Sequence, residues 1–142
     1  MCFKKSSGSS VAGNDVTTIT AKDTQAITLL YGQISLTTDA TVANRRVVIG
    51  VYDDSGNLII DIHSGAVVAA SASAQHHELM QGVYRETSFV GGALQVPIPD
   101  DLIIPPQYSL KITVENGVAG DSYDYSLAFS VDFVVPGQTV VS

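Results

Sequence analysis

The sequence has few of the features that mark an enzyme, a nucleic-acid-binding protein or a membrane protein. Its one cysteine, Cys2, excludes an internal disulfide framework. Seven basic residues stand against fourteen acidic ones, and the net charge of −7 gives no clustered basic face for nucleic acid. No apolar run approaches the ~20 residues that a membrane helix needs. We therefore expect neither nucleic acid nor membrane as a partner.

The N-terminal sequence MCFKKSSGSS has lysines but no apolar region after them. A signal peptide requires such a region, so we expect none here and expect synthesis in a cytosol.

The composition fits one domain with a substantial core. Hydrophobic residues make up 45% of the 142 residues, and a domain near this size buries roughly 68–70% of its unfolded surface. Charged residues make up only 15%, compared with about 25% in typical soluble domains. Such a low charged fraction indicates that part of the surface is hidden in an assembly.

Two regions differ in composition. Residues 1–14 are rich in Ser and Gly, which is typical of a flexible arm that becomes ordered only against a partner. Residues 15–142 carry strand signals almost throughout and no helix pattern, and we predict that they form a single β-sandwich domain.

Strict alternation of apolar and polar residues is clearest near the C-terminus. In Tyr123–Val135 and in Tyr108–Asn116 every second residue is apolar, which predicts strands with one buried face. The sequence NGVAGDS between them is rich in turn residues, so we predict that the two strands form a hairpin. In Ala26–Thr38 the apolar parity changes at Gly32, which predicts a bulge there and places Tyr31 on the inner face with Leu29.

The central region predicts further short strands. RVVIGVY and NLIIDIH flank an acidic turn and form a hairpin, Val83–Phe89 forms one strand, and Leu94–Ile98 precedes a turn at Pro99–Leu102. GAVVAASASAQ fits either a strand or a short helix. About eight or nine short strands with frequent turns predict an all-β, antiparallel β-sandwich of the jelly-roll type.

Two clusters resemble metal sites but lack the required spacing. DDSGN at residues 53–57 has no D-x-D-x-D-G pattern of a calcium loop, and Asp, Asn and Gly are the residues that tight turns prefer. His76 and His77 are adjacent, so they point to opposite faces of a strand. We predict a hairpin loop for the first cluster and no metal or cofactor for either.

Catalytic motifs are absent too. There is no G-x-S-x-G and no phosphate-binding loop, and Cys2 lies on the predicted arm. The pairs Asp53-Asp54 and Asp100-Asp101 imitate the two carboxylates of a glycosidase, but solvated acids at turns explain them as well. We predict that the protein is not an enzyme and has no catalytic residues; a hydrolase using these pairs is the alternative.

Arg45 and Arg46 are adjacent, so one side chain faces inward and the other outward. Either the inward arginine pairs with a carboxylate at the edge of the core, or an arginine pairs with a carboxylate of a neighbouring subunit, since the guanidinium binds carboxylates bidentately. The sequence leaves both alternatives open.

Three segments together resemble a known family. LLYGQISLTTDATVANRRVVIGVYDDSGNLIIDI, VPIPDDLIIPPQYSLKITVEN and GDSYDYSLAFSVDFV, within roughly residues 27–135, resemble small structural proteins of tailed-bacteriophage heads, of the decoration or cement type. Gln107 in PPQY stands where that family's pattern leads us to expect glycine.

The resemblance implies a role without chemistry. Proteins of this type are β-sandwiches, often jelly rolls, that commonly form homotrimers on the virion surface and bind the major capsid protein. The N-terminal arm would then grip the lattice. The implied interface residues are Cys2, Phe3, Lys4, Lys5, Arg45 and Arg46.

Two alternatives stay open at this point. A jelly roll also serves as a carbohydrate-binding or host-recognition module, which requires exposed aromatic residues, and the same sandwich fits a tail or connector component.

Overall fold

The computed structural model describes residues 2–134, which form ten strands and no helix. The strands are β1 (Cys2–Ala12), β2 (Thr17–Thr20), β3 (Gln25–Thr37), β4 (Arg46–Tyr52), β5 (Leu58–His63), β6 (Gln75–Met80), β7 (Ala93–Pro97), β8 (Leu102–Ile104), β9 (Ser109–Glu115) and β10 (Ser122–Phe133). Within these residues no helix is long and apolar enough to span a membrane. The predicted fold class is confirmed, with ten strands instead of eight or nine. Val135, predicted as the last inward residue of the final strand, lies outside the described residues.

The strands form two sheets that enclose one apolar core. The six-stranded sheet has the order β1-β10-β3-β6-β7, with β8 also paired to β3, and the four-stranded sheet has the order β2-β9-β4-β5. Both sheets turn their apolar residues toward each other. The fully buried aliphatic residues are Leu29, Ile34, Leu36, Leu94, Ile104, Leu110, Ile112 and Leu127.

The pairing of the strands is nested. β1 pairs with β10, β2 with β9, β3 with β6, and β4 with β5, all antiparallel. Such nested antiparallel pairs arise when one long hairpin folds over so that its strands are shared between two sheets. This is the topology of the eight-stranded jelly roll. β8 shares with β6 the position beside β3, and β7 adds a strand at the sheet edge.

β7 departs from the predicted antiparallel arrangement because it runs parallel to β6. A parallel neighbour needs a long crossover connection, and residues 81–92 supply it. The predicted strand Val83–Phe89 is therefore wrong, since this segment is the crossover loop.

The N-terminal segment also differs from the expectation. Residues Cys2–Ala12 pair along β10 as the first strand of the jelly roll, instead of forming a free arm. Most of their side chains are exposed, and backbone hydrogen bonds hold this edge strand in place. The sequence of β1 therefore lacks the apolar alternation from which a strand with one buried face is predicted. The division into an arm (residues 1–14) and a sandwich domain (residues 15–142) stays a prediction, because the structure contains no partner that could order the arm.

The predicted hairpin between the last two strands is wrong. β9 lies in the four-stranded sheet and β10 in the six-stranded sheet, so the segment between them crosses from one sheet to the other. Each strand has the predicted alternation, but alternation along one strand does not identify its partner.

Two local details are corrected as well. The register against β10 shifts between Leu29 and Tyr31, so the bulge lies at Leu30, before Gly32, and it turns Tyr31 to the outer face. Gln107 has φ +70°, so the backbone keeps the left-handed conformation that glycine adopts most easily.

We predict that alternate backbone amides of β1 are protected from hydrogen exchange. Those amides donate to β10 in the structure, whereas a free arm would exchange at the rate of an unfolded peptide. Exchange measured by NMR on the isolated protein at several pH values tests this, with the amide of the exposed loop residue Val42 as internal reference. Equal exchange in Cys2–Gly8 and in this loop would contradict the pairing.

Candidate interaction surface

The acidic hairpin is a turn, as predicted. The Asp53 carboxylate accepts hydrogen bonds from the amides of Ser55 (2.9 Å) and Asn57 (2.8 Å), and Gly56 has φ +83° with open space around it. The hydrogen bond from the Asn57 amide is the main reason that the pKa of Asp53 lies below its usual value. The carboxylate thus serves to close the loop between β4 and β5.

Arg45 is the inward arginine, and its partners belong to its own chain. Its side chain is fully buried, with Nε 2.9 Å from Oδ2 of Asp121 and Nη2 3.0 Å from Oδ1. Nη2 also contacts the Asp39 carboxylate (3.1 Å), and Nη1 donates to the carbonyl of Ala43 (2.8 Å). This corrects the expectation that Arg45 lies in an intersubunit interface, because a buried and saturated guanidinium is not available to a neighbour.

Asp121 completes the cluster. Besides Arg45, the amides of Asp39 (2.9 Å) and Val118 (3.1 Å) donate to its carboxylate. Burial raises the pKa of Asp121, but these hydrogen bonds, above all that from Arg45, outweigh it and hold the pKa below its usual value. The carboxylate is therefore ionised and acts as a structural anchor.

Arg46 is the outward arginine, at the start of β4 opposite Glu115. It is half-buried, and its Nε is buried without a hydrogen-bond partner in the part of the chain that the structure describes. Its predicted place in an interface stays a prediction.

The adjacent histidines of β6 have different surroundings. His77 is fully buried, its Nδ1 lies 3.1 Å from the carbonyl of Ile34, and its ring packs edge-on against Phe89. Burial lowers the pKa of His77 to about 4, although the hydrogen bond to Ile34 opposes this shift. Across residues 2–134, no group of three His, Cys, Asp or Glu residues is placed to hold a metal ion.

The other predicted interface residues are accessible. Cys2, Phe3, Lys4 and Lys5 are all exposed on the first half of β1. Phe3 has 78% of its surface exposed, although it lies in a regular strand.

Phe3 belongs to a row of residues on the outer face of the six-stranded sheet. It pairs with Ser130, Ser130 pairs with Thr28, and Thr28 pairs with Ile103 on β8. Since the neighbours of Ser130 along β10 face the core, this row faces outward. It therefore begins and ends with an exposed apolar side chain.

A second row lies beside the first. Lys5 pairs with Ala128 and Ala128 with Tyr31, and Tyr31 lines a shallow groove together with Met80. Tyr31 is 61% exposed. Phe3, Tyr31, Met80 and Ile103 together form what we call the apolar face.

Polar side chains surround the apolar face. Lys4 and Lys5 lie beside Phe3 and Tyr31 in a groove of about 500 Å³. Gln33, Glu78 and Ser126 lie beside Tyr31 in a second, open groove of about 550 Å³. Tyr31 and Met80 thus lie among polar side chains, and apolar contacts with polar surroundings are typical of a protein interface.

The sequence indicated only the Phe3 end of this surface. Tyr31 was missed because the bulge at Leu30 reverses its direction, and Met80 and Ile103 because they lie outside the predicted strands. The direction of the side chains that follow a bulge can be assigned only when the pairing register with the neighbouring strands is known.

Comparison with known proteins adds little to the fold. No protein-family model and no curated protein matches the chain. Among solved structures, the VP2 subviral particle of infectious bursal disease virus is 15% identical, with a TM-score of 0.41 over 94% of this chain and 30% of that one. The Gx strain of the same virus gives 17% identity and a TM-score of 0.42 over 95% and 30%. The chain thus spans about a third of these proteins, and the jelly-roll assignment rests on its own strand pairing.

We predict that Arg45→Ala destabilises the protein by about 3–5 kcal/mol, because it leaves the buried Asp121 carboxylate without its cation. Arg46→Ala, at the half-buried neighbouring position, should cost less than about 1 kcal/mol. Urea-induced unfolding at pH 7 measures both free energies. Equal losses for the two variants would contradict an anchoring role for Arg45.

We predict that stability falls as the pH decreases from about 6.5 to about 4. His77 has a depressed pKa in the folded protein, so the unfolded chain binds the proton first and the neutral ring contributes its full stability only above pH 6.5. The loss amounts to about 3 kcal/mol. Asp121, whose pKa is also depressed, contributes stability that is lost only at still lower pH, as the pH falls through its folded pKa.

Unfolding free energies of His77→Gln and His76→Gln between pH 4 and 7 separate these effects. His77→Gln should flatten the profile and His76→Gln should retain most of it. A wild-type slope in His77→Gln would show that another group is responsible.

Proposed function

We propose that the chain is a non-enzymatic decoration, or cement, protein of a tailed-bacteriophage head. It binds the major capsid protein on the capsid surface and stabilises the lattice, as a homotrimer. The apolar face of the six-stranded sheet is the observation that carries this proposal, and the family resemblance of residues 27–135 gives the partner.

The apolar face is not explained by folding. Phe3, Tyr31, Met80 and Ile103 point away from a core that is complete without them. Exposed apolar side chains grouped on one side of a sheet mark interaction sites, and aromatic side chains supply most of the binding energy in such sites. An accessory protein that binds a rigid lattice requires a flat, preformed surface, and the outer side of a sheet provides one.

The charges around the face fit a protein partner better than a nucleic acid. Lys4 and Lys5 lie at one border and Glu78 at another, so both signs are present. The net charge of −7 opposes binding to a polyphosphate. Rim charges of both signs orient a protein partner.

We predict that Tyr31→Glu weakens binding to capsids at least about tenfold, because it places a charge at the centre of the apolar contact. Tyr84→Glu is the matched control, since Tyr84 is 91% exposed and lies on the crossover loop outside the face. Co-sedimentation of the purified variants with capsids that lack the protein measures the affinity.

Equal binding of both variants would exclude the apolar face as the capsid-binding surface. Absence of the protein from purified virions, tested by mass spectrometry and electron microscopy, would exclude the proposed function itself. Density on the tail or the connector would assign it to that part of the virion instead.

A carbohydrate-binding module is the second candidate, and the groove around Tyr31 favours it. An exposed aromatic ring beside Gln33, Glu78 and Ser126 offers a stacking surface together with hydrogen-bonding groups. Calorimetric titration with glycans distinguishes the two functions, because binding to a glycan that Glu78→Gln abolishes would support this candidate.

A further inference from the structure

The two sheets end in four edge strands, β1 and β7 in one and β2 and β5 in the other, and β1 and β5 lie on opposite sides of the sandwich. β1 ends the six-stranded sheet on one side, and β5 ends the four-stranded sheet. β5 lies on the far side, because its residues Asp61–His63 share a groove with Pro97–Pro99, at the other edge of the six-stranded sheet. Open edges carry unpaired backbone groups that can pair with another chain.

The β5 edge is apolar and accessible. Its first three residues, Leu58, Ile59 and Ile60, are all exposed, and Ile59 is 58% exposed. Ser64 donates its amide to Val47 of β4 (3.0 Å). Hydrogen-bonding direction alternates along an antiparallel strand, so the backbone groups of Asp61 and His63 face the open side, where the groove has a volume of about 410 Å³.

Acidic residues surround the β5 edge. Asp53 and Asp54 lie in the hairpin that precedes β5, Asp61 lies on it, and Asp100 and Asp101 directly follow Pro99 at the groove. Arg85 on the opposite wall of the groove contributes one positive charge, and His63 lies between Asp61 and Glu115. Carboxylates are therefore in excess at this edge.

The β1 edge has the complementary character. It carries Lys4 and Lys5, and the strand Cys2–Ala12 contains no acidic residue. Phe3 lies directly beside the two lysines and is exposed. A chain with seven basic residues in total thus places two of them next to an exposed aromatic ring on one edge.

We propose that copies of the chain associate head to tail, with the β1 edge of one copy against the β5 edge of the next. Phe3 then packs against Leu58 and Ile59, and Lys5, which lies on the same face of β1 as Phe3, faces the acidic surroundings of Asp61. Contacts between two different surfaces of the same protein close into rings when the rotation permits. The proposal rests on the homotrimer of the function given above and deepens it, because it names the two surfaces through which copies of the chain associate.

Charge reversal tests the pairing of the two edges. Sedimentation equilibrium should show wild-type masses that are multiples of 14.9 kDa. Lys4→Glu/Lys5→Glu and Asp61→Lys should each weaken association about tenfold, and the triple variant that combines them should associate more tightly than either, since the exchanged charges attract again while Asp53, Asp54, Asp100 and Asp101 keep their charge. Thermal unfolding of each variant confirms that it is folded.

A mass of 14.9 kDa at every concentration would overturn the proposal, and so would a triple variant that associates no better than the two separate changes. A constant monomer mass would also remove the homotrimer from the proposed function, whereas capsid binding through the apolar face is judged separately by the co-sedimentation experiment.

The native Cys2 provides a second, geometric test. A disulfide requires Cα atoms about 4.4–6.8 Å apart. In the Ile59→Cys variant, Cys2 of one copy should therefore link to the new thiol of the next copy under mild oxidation. Val42→Cys is the control, because Val42 is 93% exposed and lies on neither edge. Peptide mapping identifies the linked residues.

A yield of the link to Cys2 that is well above that of the Val42→Cys control supports the head-to-tail contact. Equal yields for the two variants overturn it. A predominant link between the two introduced thiols of Ile59→Cys also overturns it, because that link indicates two β5 edges paired around a two-fold axis.

Discussion

The buried ion pair between Arg45 and Asp121 fixes the end of the sandwich on which the jelly-roll topology depends. Asp121 accepts four hydrogen bonds, two from Arg45 and one each from the amides of Asp39 and Val118. These donors come from the β3–β4 and β9–β10 connections, both of which cross between the sheets. A single carboxylate therefore holds together the segments that determine which strand enters which sheet.

The connection between β1 and β2 also contacts Asp121. Gly13, which links β1 to β2, donates its amide to the carbonyl of Asp121 (2.9 Å). A Cβ at Gly13 would lie 2.4 Å from the Cβ of Asp121, so only glycine permits this approach. An ion pair buried from water is costly unless all its hydrogen-bonding groups are satisfied, and here the cost is offset only when the β3–β4 and β9–β10 connections are both in place. This makes the cluster selective for one topology.

The sequence was most informative where structure is determined locally. The β4–β5 hairpin was predictable because its turn chemistry and both alternating strands lie within twenty residues of each other, roughly the reach of local propensity. The partner of Arg45 was not predictable, because Asp121 lies 76 positions away. Arginine patterning alone left an intrachain and an intersubunit carboxylate equally possible, and only the fold decides between them.

The wrong β9–β10 hairpin and the wrong direction of Tyr31 have one physical cause, which is that the pairing of a strand with its neighbours cannot be deduced from its own sequence. β9 and β10 alternate as expected, but in this sandwich they belong to different sheets. Tyr31 lies in a predicted strand, but one additional residue at Leu30 reverses its direction. The candidate surface is made of such residues, so it could not be assembled from the sequence, and Phe3 is its one member among the predicted interface residues.

β1 shows how the fold and the proposed function are connected. Its side chains contribute little to the core apart from Val11, which packs against it, and backbone pairing with β10 holds the strand in place. Folding therefore leaves the side chains of its first half free to vary, and an aromatic residue exposed in water contributes nothing to the stability of an isolated domain. Phe3 and the two lysines beside it occupy the one strand whose composition the core does not dictate. The core does not explain why these residues are present. Contact with a partner surface, either the capsid or the next copy of the chain, does explain them.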